Sequence, residues 1–258
     1  LTIPLSVTAI MAMASWREAF VALGFVCFAL GIIAWFVVRD GPAPRPSGAQ
    51  SATGQGLPSA ALTGVTASEA LRTSRFYLIL AAVTLGYFTY ATILTHMLAH
   101  LLTRGFTPTS ASVALSTLAI GGLAGKVAFG MLSDRYGARR ATIVNLLGQA
   151  MFTAIVALVG SILGLRIAMP LLGVFLGGFG IVSTLLVQEC FGTRFFGSIM
   201  GLMSAGTVVA FGFGPLLAGL SYDLTGSYTN AYLIVAGFFV VGAVLLFTPP
   251  LRSGVNKA

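Results

Sequence analysis

Charged residues are scarce in this chain. Only 8% of its 258 residues are Asp, Glu, Lys or Arg, and only 6 are acidic. A soluble domain normally carries about 25% charged residues because its surface must face water. Cysteine is rarer still, and the two cysteines, Cys27 and Cys190, lie in or beside different apolar runs. These two scarcities argue against a soluble domain, a disulfide framework and a cysteine-bound zinc site.

Hydrophobic residues, in contrast, make up 57% of the chain. They fall in runs of about twenty, long enough to cross a ~30 Å hydrocarbon layer as helices. In lipid the backbone must satisfy its own hydrogen bonds, so the sequence predicts an all-α membrane protein with about seven complete transmembrane helices plus one partial helix. The predicted segments are Leu1–Ala14 (partial), Phe20–Val38, Phe76–Leu102, Ala111–Leu132, Ala141–Leu163, Ile167–Val187, Gly197–Leu220 and Ala231–Pro249.

Residues 39–75 are rich in Pro, Gly, Ser and Ala and contain no apolar run, which predicts a polar linker between residues 1–38 and 76–250. The end of this linker, Ser68–Arg75, is compatible with a short helix at the membrane surface. If the linker is cytoplasmic, 11 of the 14 lysines and arginines lie on its side of the membrane. This bias predicts a cytoplasmic linker and a cytoplasmic tail at residues 251–258.

The net charge of +8 does not predict nucleic-acid binding, because the cations sit in short connectors between apolar runs. No nucleotide-binding loop occurs in the sequence, so neither an ATP-driven motor nor a cofactor is predicted. The apolar stretch at Leu1 lacks the basic leader and the cleavage site of a signal peptide, and we expect a chain that begins partway through a helix. Glycines spaced by four, such as Gly173 and Gly177 or Gly197 and Gly201, predict close helix packing.

The loop between the fourth and fifth predicted segments has a regular spacing of glycine and charge. It reads Gly130-Met-Leu-Ser-Asp134-Arg135-Tyr-Gly137-Ala-Arg139-Arg140. The glycine permits close packing, the aspartate can cap a helix or pair with arginine, and the arginines can bond carbonyls at a helix end. This spacing resembles the cytoplasmic loop signature of the major facilitator superfamily, which lies between the second and third helices and often recurs between the eighth and ninth.

Taken as the second copy of that signature, the loop places six helices after the linker and two before it. The resemblance therefore implies a twelve-helix transporter fold. Residues 76–250 would form its C-terminal six-helix half and residues 1–38 the end of its N-terminal half. The first four helices and part of the fifth would be missing partners from the same chain.

Other stretches resemble one branch of the superfamily, the monocarboxylate transporters and oxalate–formate antiporters. These stretches are Trp16–Phe20, Glu69–Tyr77, Gly125-Lys126, Glu189–Arg194 and Gly212–Tyr228. The resemblance implies secondary transport of a small organic anion across a bacterial inner membrane by alternating access. Transport would be coupled to protons or to exchange of a counter-anion.

Lys126 is the sharpest candidate for a substrate ligand. It lies seven residues before Ser133, which places it about 10 Å inside the predicted cytoplasmic boundary. A lysine near a helix centre costs about 2.5–3.5 kcal/mol to insert, so it usually faces a cavity or a partner. In the resembled branch the cation at this position contacts the substrate carboxylate. The alternative is that the lysine stem reaches the lipid headgroups.

The sequence departs from the branch in two ways. Arginine is more common than lysine at position 126, and lysine lacks the planar grip of arginine on a carboxylate. The second cation of oxalate-type members is absent from Gly197–Leu220. The missing second cation argues against a dicarboxylate and favours a substrate with one carboxylate.

The third predicted segment supplies the remaining ligand candidates. We predict Tyr90 and Thr92 as hydrogen-bond donors to the substrate, and His96 as both a ligand and a proton carrier, because histidine is the residue type that can exchange protons near neutral pH. A histidine near His96 recurs in the resembled branch. Thr92, His96 and His100 are spaced by four and should share one stripe. No metal site is predicted at the two histidines, because no third ligand is visible nearby.

Charged residues near the predicted inner side are expected to form ion pairs that hold an inner gate closed and break as the two halves rock. These residues are Asp134, Arg135, Arg139, Arg140, Glu189 and Arg194. The alternative is a permanent surface network that contributes little free energy.

Three other functions compete with anion transport. Proton-coupled drug or metabolite efflux would be favoured by an apolar cavity without Lys126. An intramembrane enzyme would need carboxylates deep in the bundle, whereas Asp134 and Glu189 sit at its rim, so no enzyme and no catalytic residue are predicted. A sensor built on the same fold should carry a signalling domain, and only a few residues follow Pro250.

Overall fold

The computed structural model describes residues 16–37 and 64–247, and every regular element within these ranges is an α-helix. The helices are α1 (Trp16–Val37), α2 (Ala67–Leu71), α3 (Ser74–Thr103), α4 (Pro108–Tyr136), α5 (Ala138–Leu158), α6 (Ile162–Phe191), α7 (Phe196–Thr225) and α8 (Thr229–Phe247). All except α2 are long and apolar enough to cross a membrane, which makes 7 and confirms the predicted number of complete spans. The predicted partial helix at Leu1–Ala14 lies outside the described residues, as do residues 38–63 and the tail.

Helix α1 belongs to a separate compact unit from the helices that follow residue 62. Its described side chains are exposed, except for the half-buried Leu23. Its apolar stretch, Phe20–Val37, has a mean hydropathy of 2.6. A helix of this composition is stable when lipid or other apolar helices surround it.

Helices α3 to α8 form a bundle in which short turns join successive helices, so neighbours in sequence run antiparallel. The turns at Gly137 and Gly192 lie at one end, which we call the Gly137 end. The other three turns lie at the opposite end. Helix α4 packs mainly on α6, α3 packs on α7 and α8, and α5 packs on α6 and α8. The site described below therefore lies within a bundle that the tight turns and these pairings define.

The boundary between α5 and α6 differs from the prediction. The sequence placed a break after Leu163, but α5 ends at Leu158 and α6 begins at Ile162. The hydroxyl of Ser161 accepts a hydrogen bond from the Gly164 N–H at 3.1 Å and so caps the first turn of α6. Hydropathy does not mark this break, because apolar residues continue on both sides of it.

The short helix expected at the end of the linker is present as α2. Thr66 caps it: the Thr66 N–H donates to Glu69 Oε2 at 2.7 Å, and the Glu69 N–H donates to the Thr66 hydroxyl at 3.3 Å. The backbone N–H and hydroxyl of Thr66 hold the pKa of the Glu69 carboxyl below its usual value. Just before it, the Val65 N–H donates to the Phe191 carbonyl at 3.0 Å. The Val65 bond attaches the residues before α2 to the end of α6.

Helices α4 and α6 approach each other backbone to backbone. A Cβ on Gly121 or Gly125 of α4 would overlap the main chain of α6, and a Cβ on Gly173 or Gly177 of α6 would overlap the main chain of α4. The predicted close packing at Gly173 and Gly177 is therefore confirmed. The other pair, Gly197 and Gly201, has no described heavy atom within 4 Å of the position a Cβ would take.

Candidate functional site

A cavity of about 430 Å³ lies between α3, α4 and α6. This volume falls within the range of about 300–1,000 Å³ that is typical of small-molecule sites. Lys126 and Tyr90 provide the polar side chains of its wall. The other lining residues are Leu94, Leu118, Ala119, Gly122, Leu123, Gly173, Leu176 and Gly177. The structure thus brings together two of the four residues that the sequence predicted as substrate ligands.

Lys126 is held at the cavity by the packing of its own helix. The preceding residue, Gly125, is buried against Val174 of α6, and this contact directs the next position toward the cavity. Helix α4 continues to Tyr136, so Lys126 lies ten residues, or about 15 Å, from its end. Lys126 is exposed, and within the described ranges its ammonium group has no hydrogen-bond or salt-bridge partner. The cation is therefore available to a ligand.

Aromatic packing fixes Tyr90 at the same wall. Its ring centroid lies 6.3 Å from that of Tyr87 and 6.3 Å from that of Phe211. Tyr87 in turn packs edge-on against Phe179 at 5.0 Å. The cluster joins α3, α6 and α7, and it holds the Tyr90 ring in place beside the cavity.

Thr92 and His96 do not line this cavity. Thr92 is buried, donates its hydroxyl to the Phe88 carbonyl at 2.9 Å and faces Gly214 of α7. His96 donates Nε2–H to the Pro215 carbonyl at 3.0 Å. Residues two apart on a helix point about 200° apart, so Thr92 cannot share a face with Tyr90. We predicted that Thr92 and His96 would surround one ligand together with Lys126 and Tyr90. The structure corrects this prediction, because Thr92 and His96 face α7 instead of the cavity.

His100 is fully buried, on the stripe that the sequence predicted for it. Its ring stacks on Tyr232 at 4.6 Å, and its Nε2–H donates to the Val156 carbonyl at 3.4 Å. Among the described residues, no three potential metal ligands cluster. His100 thus links α3 to α5 and α8 within the bundle.

A row of buried polar side chains on α5 was missed at the sequence level. Asn145 donates to the Phe175 carbonyl at 2.8 Å, and Gln149 donates to Asn145 Oδ1 at 2.6 Å. Within the described part of the chain, Gln149 Oε1 and the buried Thr153 hydroxyl have no partner. Such an atom costs about 1–3 kcal/mol unless water bonds it. Asn and Gln spaced by four inside an apolar segment were the available signal.

A second cavity, of about 190 Å³, lies between α3, α6 and α7. Hydroxyl groups of Tyr87, Ser183, Ser204 and Thr207 line it, and the Tyr87 and Ser183 oxygens lie 3.5 Å apart. This cavity was not predicted at the sequence level, because its hydroxyl-bearing residues come from three separate helices. Polar hydroxyls are therefore grouped apart from the wall that carries Lys126.

The predicted gate residues lie at the Gly137 end, and four of them make contacts other than ion pairs. The Glu189 carboxylate accepts the Ala138 N–H at 2.7 Å, and Arg139 Nε donates to the Leu246 carbonyl at 2.8 Å. Arg194 lies over the Phe195 ring and Arg135 over the Tyr136 ring. Among the residues that the structure describes, no salt bridge joins Asp134 or Glu189 to Arg135, Arg140 or Arg194.

Glu189 acts as an N-terminal cap for α5. Gly137, the residue before α5, has no side chain to cap the helix, and its φ of +85° suits glycine. The Glu189 carboxylate supplies both a hydrogen-bond acceptor and a negative charge at the positive end of the helix dipole. The contact fastens the end of α6 to the start of α5.

We expect Glu189→Ala to lower the unfolding temperature of the detergent-solubilised protein by about 2–4 °C, because loss of a cap costs about 1 kcal/mol. Glu189→Gln should lose less, since an amide oxygen still accepts the Ala138 N–H. Thermal unfolding followed by circular dichroism measures both variants. An unfolding temperature of Glu189→Ala equal to that of wild type would contradict the capping role.

Comparison with known proteins gives matches to a family profile, to individual proteins and to solved structures. A sequence profile described as Major Facilitator Superfamily matches residues 1–201 and again residues 103–258. Monocarboxylate transporter 13 of Bos taurus is 28% identical over 178 residues, which cover 68% of this chain and 41% of that protein. Multidrug resistance protein MdtG of Proteus mirabilis is 32% identical over 119 residues, which cover 46% of this chain and 29% of that protein.

Among solved structures, the E. coli fucose:proton symporter FucP is similar with a TM-score of 0.61 and 18% sequence identity. The match covers 69% of this chain and 43% of the symporter chain. At this level of identity the likeness concerns the fold alone. The chain spans about 41% of the length of the monocarboxylate transporter that it matches.

Proposed function

The chain belongs to the Major Facilitator Superfamily, and we propose that it forms part of a secondary transporter for a small organic anion with one carboxylate. Membership makes it a multi-pass integral membrane transporter and not an enzyme. In the proposal, the anion binds near the midplane of the membrane, between the described six-helix bundle and other helices of the same protein. Rocking of one helical unit against the other exposes the site to each side in turn.

One observation carries this proposal: the Lys126 ammonium group lies on a cavity and has no described partner. An unpaired cation within a membrane span is costly, and an anionic ligand would offset that cost. A charge-assisted hydrogen bond from Lys126 to a carboxylate is roughly twice as strong as a neutral one. Tyr90 would add a neutral hydrogen bond from the same wall. Within the described wall of the cavity, one cation would match one carboxylate.

We place proton coupling at His96 in this proposal. Its Nε2–H is held by the Pro215 carbonyl, so Nδ1 remains to accept a proton. His96 lies six residues, or about 9 Å, along α3 from Tyr90. Coupling would therefore act through the contact between α3 and α7 and not through direct contact with the anion. Exchange against a counter-anion at Lys126 would need no such residue.

We further propose that the Gly137 end faces the cytoplasm of a bacterial inner membrane and closes as an inner gate. Asp134, Arg135, Arg139, Arg140, Glu189 and Arg194 all lie at this end. In the gate, ion pairs from the residues other than Glu189 would form in one state and break in the other. The Glu189 bond to Ala138 would then hold α5 and α6 together while other pairs break.

Proton-coupled efflux of drugs or metabolites is the second candidate function. Apart from Lys126 and Tyr90, the cavity wall consists of apolar side chains and glycines. The similarity to multidrug resistance protein MdtG also points toward this function. Efflux would require an apolar or cationic substrate that leaves Lys126 unused.

An uptake assay separates the two functions. The protein, with any residues that precede Leu1 in its gene, is placed in proteoliposomes, and entry of labelled lactate, pyruvate, formate and oxalate is followed with and without a pH gradient. We expect saturable entry of a monocarboxylate and not of oxalate, and gradient dependence would indicate proton coupling. Movement of a lipophilic cation with no carboxylate entry would replace anion transport with efflux.

A further inference from the structure

We propose that the substrate is a monocarboxylate with an apolar body, held with its carboxylate at Lys126 and its body along the leucine wall of the same cavity. The leucine wall consists of Leu94, Leu118, Leu123 and Leu176. This proposal rests on the proposed anion transport and specifies which anions the site prefers. Small hydrophilic acids would bind the cation but leave the rest of the cavity unused.

The distribution of polar atoms around the cavity carries this inference. Polar side chains come only from Lys126 and Tyr90 within the described wall, and in this proposal both bond the carboxylate group. A hydroxyl or a second carboxylate elsewhere on the ligand would face leucine side chains and lose its bonds to water without replacement. An apolar body has no hydrogen bonds to water to lose, and the transfer of its surface from water to the cavity is favourable.

The exposure of the leucine wall points the same way. Leu94 is 42% exposed and Leu123 is 58% exposed, so both offer apolar surface that a ligand can cover. Leu118 and Leu176 are buried and form the base of the wall. The hydroxyl-lined cavity at Tyr87 and Ser183 lies between α3, α6 and α7, and none of its hydroxyl-bearing residues lines the Lys126 cavity.

Glycine widens the cavity next to the leucine wall. A Cβ on Gly122 would lie 3.6 Å from the Gly173 carbonyl oxygen and 3.7 Å from the Gly177 Cα, which is ordinary van der Waals contact. A methyl group therefore fits at Gly122 without displacing α6. Because Gly122 lines the cavity, the space that this methyl group would occupy is open to the ligand instead.

Displacement of labelled hexanoate from the purified protein in nanodiscs tests the preference. Acetate, butyrate, hexanoate and octanoate compete in turn, and empty nanodiscs correct for partition into lipid. Burial of one methylene strengthens binding about two- to fourfold, so we expect each added methylene to lower the half-maximal concentration by about that factor until the cavity is filled. Gluconate, with six carbons and five hydroxyls, should displace hexanoate poorly.

A matched pair of variants locates the apolar body. Leu94 and Leu98 are both 42% exposed on α3, but only Leu94 lines the cavity. We expect Leu94→Thr to weaken hexanoate binding about three- to tenfold and leave acetate unchanged, while Leu98→Thr alters neither. Gly122→Ala, which α6 tolerates, should move the optimum to a shorter acid.

The outcomes distinguish the two proposals. If labelled pyruvate binds but hexanoate binds no better than acetate, the apolar-body proposal is overturned and anion transport stands. If neither pyruvate nor hexanoate binds to wild type, the proposed anion site falls, and the apolar-body proposal falls with it. Equal effects of Leu94→Thr and Leu98→Thr on hexanoate would also overturn the placement along the leucine wall.

Discussion

Replacing Lys126 with glutamine should reduce monocarboxylate transport about ten- to a hundredfold. Glutamine keeps a polar side chain of similar length but removes the charge that binds the carboxylate. A hydrogen bond to a charged group contributes about 1.5–3 kcal/mol, which corresponds to that loss. Initial uptake rates over a range of substrate concentrations measure the change. The loss should appear chiefly as a higher half-saturation concentration, because in the proposed function Lys126 contacts the bound anion.

Two further variants serve as controls for Lys126→Gln. Lys126→Arg keeps the charge and should retain more activity than the glutamine variant. Lys257→Gln removes the other lysine of the chain, far from position 126 in sequence, and should leave uptake unchanged. Wild-type kinetics for Lys126→Gln would mean that the lysine stem only reaches the lipid headgroups, and efflux would become the leading function.

Gly125→Ala should lower the stability of the protein by about 1–3 kcal/mol, or roughly 3–10 °C in unfolding temperature. The added Cβ would overlap the Val174 main chain of α6, and a backbone cannot move aside as a flexible side chain can. Helices α4 and α6 would have to separate along their closest contact. Thermal unfolding in detergent measures this change.

Gly130→Ala is the matched control on the same helix. No described heavy atom lies within 4 Å of the position its Cβ would take, so the methyl group meets no obstacle. Alanine favours helix over glycine by about 1 kcal/mol, and we expect the unfolding temperature to stay the same or rise slightly. Equal destabilisation by both substitutions would show that backbone contact at Gly125 does not hold α4 on α6.

The sequence predicted the membrane fold well because hydropathy depends on composition over about twenty residues. The same averaging failed at Ser161, where one hydroxyl cap separates two apolar helices. Lys126 and Tyr90 were predicted from residue type and from resemblance, and the structure places both on one cavity. The fold was thus accessible to sequence reasoning and the helix ends were not, while the role of Lys126 and Tyr90 as substrate ligands stays a prediction.

The remaining site residues could not be placed from sequence because their surroundings come from other helices. Thr92 and His96 face α7, and only the position of Pro215 and Gly214 on that helix shows this. Glu189 has the sequence context of a gate residue, but a glycine at the start of α5 makes its carboxylate a cap. Contacts between helices determine the roles of such residues, and the spacing of residues within one helix does not predict those contacts.

The glycine contact between α4 and α6 also bears on how substrate preference can evolve. Because main chain meets main chain there, the distance between the two helices does not depend on any side chain that lines the cavity. Mutations at Leu94, Leu123 or position 126 can therefore accumulate without moving the frame that carries them. Gly121 and Gly125 have no such freedom, although Gly125 adjoins Lys126 in sequence. Two adjacent positions on α4 thus have different constraints. Gly125 is restricted by its contact with α6, whereas position 126 can change with the substrate without affecting the fold.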